Sequence, residues 1–196
     1  EPTISVGGIF PAIRSNIHVG TSDLFLTEAC EYTNSYHEFY PKYSVILNVE
    51  ADHMDFFKDI DDVRASFKRF AENTKEDGVL VINAAIPRPD EIIKDVRARV
   101  VTFAPAPNEA ATAAGLPEDK PTDAEETDAG TTADRPATAQ ERPTLTATAI
   151  TYDEKGQASF TPVADGRTLD RVRLSVPGEH NVANALAAIA VSSVFS

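Results

Sequence analysis

Residues 47–56 read LNVEADHMDF and set one imidazole, His53, among the carboxylates of Glu50, Asp52 and Asp55. They follow an apolar run, YSVILNV over 43–49, whose end delivers them together. A second run, DLFLTEA over 23–29, ends in Glu28, with Cys30 and Glu31 just beyond it. If the two runs are adjacent parallel strands, Glu28 comes to lie near His53. A carboxylate and an imidazole with open positions suit Mg²⁺ or Mn²⁺, which keeps waters and takes phosphate oxygens as further ligands. On these residues alone, a metal site and a hydrogen-bonded structural histidine are equally supported. Asp55, Asp59, Asp61 and Asp62 read differently, since they precede a helical pattern whose free N–H groups and dipole favour negative charge.

The elements that must position these groups are legible in the hydrophobic periodicity. TISVGG (3–8), DLFLTEA (23–29), YSVILNV (43–49) and GVLVIN (78–83) read as strands, with RVVTF (99–103) a fifth. The second, third and fourth lack polar alternation, as expected of strands covered on both faces of a parallel sheet. Ile60, Val63, Phe67, Phe70 and Ala71 fall at helical spacing after Asp59 as cap, which makes a strand–helix–strand unit. A shorter helix is expected over 89–96. In such sheets ligands collect at the carboxyl ends of the strands, where Glu28 and His53 lie.

From about 105 to 143 the composition turns to Ala, Thr, Pro, Asp and Glu, with no aromatic residue and a single leucine. Too little apolar surface is available there to offset the entropy of ordering, so 105–143 reads as a mobile acidic insertion. Beyond it the period becomes two: 144–153 and 158–166 form a hairpin across Glu154-Lys155-Gly156, followed by a strand over 170–176. A helix starts after Pro177-Gly178, its Ala185, Ala188 and Ala190 suited to close packing. The fold class expected is α/β, a mostly parallel sheet flanked by helices with a small antiparallel β subsheet beside it.

Bulk properties narrow the partners. A net charge of −13 argues against a nucleic acid or an anionic membrane, either of which needs a basic face. An anionic small molecule stays possible where a metal or a helix N-terminus supplies positive charge. Cys30 is the single cysteine, so neither an internal disulfide nor a cysteine zinc site can form within the chain. No apolar run reaches membrane-spanning length and the start has no signal-peptide pattern, so a cytoplasmic location is expected. The chain starts at Glu1 and stops within a helical pattern, and is expected to be a segment of something longer.

Three stretches, TEACEY, NVEADHMDFFKDIDD and PGEHNVANALAA, occur here in the order and spacing of the central domain of the Mur ligases. The chain resembles that family, the ATP-dependent enzymes of peptidoglycan precursor synthesis, over essentially its whole length outside the insertion. The resemblance implies a P-loop-NTPase-like domain over 1–196 that uses ATP and Mg²⁺. Its small-molecule partners would be UDP-N-acetylmuramate and L-alanine, joined as an amide through an acyl phosphate. It also implies residue roles: Glu28 and His53 as metal ligands, Asp52 as a supporting acid, and Asn181, Asn184 and His180 at the adenine pocket. Cys30 stands where many members have Asp, and a buried structural thiol is expected there.

The family's phosphate loop needs Gly-Lys-Ser or Gly-Lys-Thr, and neither occurs in this chain. The segment is therefore expected to be inactive alone. The alternatives are the family's ligase for a recycled tripeptide, and a nucleotide- or metal-binding module without catalysis.

Overall fold

The computed structural model describes residues 1–105 and 144–194, so the expected acidic insertion lies, from residue 106 on, outside the described residues. In chain order the elements are β1 (Thr3–Phe10), β2 (Ser15–His18), β3 (Phe25–Thr27), a 3-10 segment (Tyr32–Glu38), β4 (Tyr43–Ile46), α1 (Ile60–Glu72), β5 (Val79–Asn83), α2 (Pro89–Ile93) and β6 (Arg99–Pro105). The hairpin β7 (Leu145–Tyr152) and β8 (Gln157–Ala164) follows, then β9 (Arg167–Thr168), β10 (Val172–Pro177) and α3 (His180–Val194).

The strands form two sheets. The larger runs β10-β8-β7-β6-β5-β4, with β9 on β8; the smaller is β2-β1-β3. Pairing is parallel from β4 through β7 and antiparallel from β7 to β10. The expected small antiparallel subsheet is β7, β8 and β10. It continues the parallel strands, because β7 joins β6 in parallel register at Phe103–Leu145.

β5 explains the layering. Its side chains alternate between two cores, and Val79, Leu80, Val81 and Ile82 are all buried. Val79 and Val81 pack with Phe103, Phe160 and the α3 residues Val182, Leu186 and Ala190. Leu80 and Ile82 pack on the opposite face with Val63, Phe70 and Ala71 of α1 and Ile92 of α2. Full burial of such a side chain contributes about 1.5–3 kcal/mol, so β5 is the strand around which both helical layers assemble. At its start Gly78 is required by space, since a Cβ there would meet the Lys42 carbonyl oxygen at 2.0 Å.

Coverage on both faces holds for β5 but not for the two strands expected to carry ligands. β4 is the edge of the larger sheet, with Val45 and Leu47 exposed. β3 lies in the smaller sheet, where Phe25 and Leu26 are 62% and 58% exposed. β3 and β4 are thus not neighbours: β3 pairs with β1, in the register Thr3–Phe25 to Ser5–Thr27.

The expected helix over 60–71 is α1. Asp59 caps it, its carboxylate accepting from the N–H groups of Asp61 (3.0 Å) and Asp62 (2.9 Å). Among the described residues no helix is long and apolar enough to cross a membrane.

Candidate metal centre

The stretch after β4 is held at both ends and open in the middle. Val49 and Phe57 are buried in the α1-side core, while Glu50, Ala51, Asp52, Met54, Asp55 and Phe56 between them are exposed. From the end of β5, Asn83 donates through Nδ2 to the Leu47 carbonyl at 3.1 Å. At the centre of the loop His53 adopts a left-handed backbone, φ +53°, a conformation that disfavours most side chains. Local bonds hold it there: its N–H donates to Asp52 Oδ1 at 2.6 Å, and its carbonyl accepts from Phe56 (2.8 Å) and Phe57 (3.0 Å).

The loop after β3 is anchored from α1. Ser66 of α1 is buried and gathers the 3-10 segment: Tyr36 Oη meets Ser66 Oγ at 2.8 Å, His37 Nε2 meets the Ser66 carbonyl at 2.9 Å, and Ser66 Oγ donates to Asn34 Oδ1. Burial pushes the Tyr36 phenol well above its ordinary pKa. The segment in turn grips Cys30, whose carbonyl accepts from Tyr36 N–H (3.2 Å) and Ser35 Oγ (2.9 Å). Glu31 therefore leaves a backbone fixed on both sides.

The two loops meet at Glu31 and His53. His53 Nε2 lies 3.5 Å from Glu31 Oε1, and His53 Nδ1 lies 4.0 Å from Asp52 Oδ1. One ligand atom from each of Glu31, Asp52 and His53 falls within 4.8 Å of the others. Side-chain exposure of 34% for His53 and 31% for Glu31 leaves the group open to solvent on one side. A cleft of about 170 Å³ adjoins it, lined by Glu31, Asn48, Glu50, Asp52, Val63 and Phe67.

These residues fit a hard divalent cation. Two carboxylates and one imidazole are the donor types such an ion takes. Cis ligands on an octahedral ion with bonds of about 2.1 Å stand about 3 Å apart, close to the Glu31–His53 separation. That separation also lies beyond the ordinary N–H···O range, so the pair is not already closed by a direct hydrogen bond.

The acid within 3.5 Å of His53 is Glu31, and what is corrected is the strand adjacency expected to set Glu28 facing His53. The two strands belong to different sheets. Glu28 instead accepts the Gly7 N–H at 2.7 Å, tying the end of β3 to β1. Cys30, expected to be buried, is exposed. Asp55, read as a helix-start acid, accepts the Tyr32 hydroxyl at 2.9 Å and takes no part in capping α1. That bond raises the Tyr32 phenol pKa.

Asn181, Asn184 and His180 come together at the start of α3, away from the three-residue group in sequence. Asn181 Nδ2 donates to the Pro177 carbonyl at 2.7 Å, and Asn184 Nδ2 to Asn181 Oδ1 at 3.2 Å. His180 is exposed and packs against Gly178, which has φ +108°. Glu31 and Tyr32 are the residues that sequence reasoning passed over. Their signal was position: β3 ends at Thr27, so its following loop, not the strand, carries side chains across to β4.

Comparison with known proteins gives a consistent picture. The family model for the Mur ligase middle domain matches residues 15–192. The UDP-N-acetylmuramate–L-alanine ligase of Agathobacter rectalis is 43% identical over 193 residues, covering 98% of this chain and 35% of that protein. The chain thus spans about a third of the length of that relative. Among solved structures, a UDP-N-acetylmuramate:L-alanyl-gamma-D-glutamyl-meso-diaminopimelate ligase from Neisseria meningitides superposes with a TM-score of 0.68 at 21% identity, over 98% of this chain and 52% of the other. The UDP-N-acetylmuramate-alanine ligase of Thermotoga maritima does so with a TM-score of 0.61 at 23% identity, over 99% and 35%.

Proposed function

Since the chain belongs to the Mur ligase middle-domain family, we propose that it is the ATP- and Mg²⁺-binding part of a ligase that joins L-alanine to UDP-N-acetylmuramate. The observation that carries this reading is the Glu31–Asp52–His53 group beside the end of a parallel strand. The 43% identity to a muramate–alanine ligase supports the choice of amino acid.

In this reading Glu31 and His53 are the protein ligands of the cation, with Asp52 fixing the His53 backbone and lending a second carboxylate. Glu28 supports the site from behind, by holding the β1–β3 end that launches the Glu31 loop. A bound Mg²⁺ supplies the positive charge that crowded phosphate and carboxylate oxygens require during acyl-phosphate formation and its aminolysis. Asn181, Asn184 and His180, at the exposed start of α3, are the adenine contacts. A cytoplasmic location accords with nucleotide substrates.

The reading is tested on the full-length protein that contains this chain. It predicts phosphate release from ATP that requires both UDP-N-acetylmuramate and L-alanine. Release with a tripeptide in place of L-alanine, or none with either, contradicts it.

A further inference from the structure

Tyr32 connects the two halves of the metal centre, and no ligand or core role accounts for it. It opens the 3-10 segment directly after Glu31, and is 40% exposed. Its ring lies over the His53 imidazole, with centroids 4.7 Å apart and planes inclined by 38°. Phe56 meets the Tyr32 ring edge-on, with centroids 6.1 Å apart. At its far end the Tyr32 hydroxyl donates to Asp55 Oδ2 at 2.9 Å, two residues beyond His53.

We propose that Tyr32 is a positioning residue for His53: its ring and its hydroxyl together fix the imidazole at the orientation in which Nε2 faces Glu31. The proposal rests on the reading of His53 as a metal ligand. The backbone of His53 is already fixed by Asp52, Phe56 and Phe57. These bonds leave the χ angles free, and a half-exposed imidazole on a loop otherwise samples several rotamers. The tilted Tyr32 ring packed against it restricts that freedom. The Asp55 bond keeps the Tyr32 ring from swinging away, because both ends of the aromatic side chain are then tied to opposite loops. Tyr32 itself starts from the Glu31 backbone, which Ser35 and Tyr36 hold through Cys30. One side chain thus sets the distance between the two ligand-bearing loops.

Groups that orient a metal ligand typically affect affinity by 10–100-fold, and an exposed ring falls at the lower end. Mn²⁺ is titrated into the chain and into its Tyr32→Ala and Tyr32→Phe variants, with binding read by paramagnetic broadening. The His53 ring resonances are recorded before metal is added. Tyr32→Ala is expected to weaken Mn²⁺ binding about tenfold and to abolish the upfield ring-current shift of His53, with the core resonances of β5 and α1 unchanged. Tyr32→Phe is expected to keep the ring-current shift and to recover most of the affinity, since it loses only the Asp55 tether. Equal Mn²⁺ affinity in the wild-type chain and Tyr32→Ala overturns the proposal while leaving the metal reading intact. Loss of the His53 shift equally in both variants also overturns it, because the ring would then play no part of its own. A wild-type chain that binds no Mn²⁺ overturns the metal reading, and the proposal with it.

Discussion

His53 and Glu31 stand 3.5 Å apart, Nε2 to Oε1, although the strands that precede them belong to different sheets. The contact is made by loops. Each loop is fixed from the core behind it, one by Val49 and Phe57, the other through Tyr36 and Ser66. The charged groups themselves stay open to solvent, which is what an ion that retains waters and phosphate oxygens needs.

The two glutamates of the first loop separate by substitution. Glu31→Gln removes a charged ligand and is expected to weaken divalent-cation binding at least tenfold, about 1.4 kcal/mol. Glu28→Gln keeps an acceptor for Gly7 N–H and should leave affinity within about twofold, below 0.5 kcal/mol. Isothermal titration with Mn²⁺ on both variants checks the order, and the reverse order returns the ligand role to Glu28.

The left-handed backbone of His53 predicts an uneven response to substitution there. Asn tolerates this region and Val does not, so His53→Val is expected to cost about 1–2 kcal/mol more than His53→Asn. Chemical denaturation of the two variants measures the difference. Equal stabilities would mean that the backbone relaxes away from φ +53°.

Much of this architecture is legible in the sequence. β5 reads as a buried strand because its apolar run is continuous, and α1 because its apolar spacing follows a clear cap, Asp59. The site was legible in part. His53 stood out by its neighbours, whereas the adjacency of the strands before Glu28 and His53 was misjudged because strand order in a sheet is a long-range property. Phe25 and Leu26 carry the same apolar signal as Leu80 and Ile82, yet the first pair is exposed and the second buried. Local pattern reports that a strand can be covered, and only the tertiary arrangement decides whether it is. Tyr32 and Asp55, 23 residues apart, are a contact that no local pattern encodes.

The buried network around Ser66 is expected to be non-additive. Ser66→Ala leaves the Tyr36 hydroxyl buried without its partner and should cost about 1–3 kcal/mol. Adding Tyr36→Phe removes the orphaned group, so the double variant should be less destabilised than the sum of the singles. A double-mutant cycle by thermal unfolding measures this, and strict additivity would show that the two hydroxyls do not interact.

The β7–β8 turn carries a pH signature. Backbone N–H groups of Gln157 and Lys155 on Asp153, each at 3.0 Å, hold its carboxyl below the ordinary aspartate range. A depressed folded pKa means that this stability is fully present above the unfolded value, about 3.9. It is lost as pH falls through the lower folded value. The protection of the Gln157 amide, taken relative to its intrinsic exchange rate at each pH, should therefore fall as the solution is acidified below that range, and Asp153→Asn should remove that pH dependence of protection. An unchanged profile in Asp153→Asn would assign it elsewhere.

The central claim is that Glu31, Asp52 and His53 form one cation site, and a residue-resolved Mn²⁺ titration of the wild-type chain tests it most directly. Side-chain resonances of these three residues are predicted to broaden first and together, before those of the exposed acids Glu72, Glu76 and Asp95 on the α1–α2 side. Broadening that begins at those exposed acids, or that leaves His53 sharp while Glu31 responds, would contradict it.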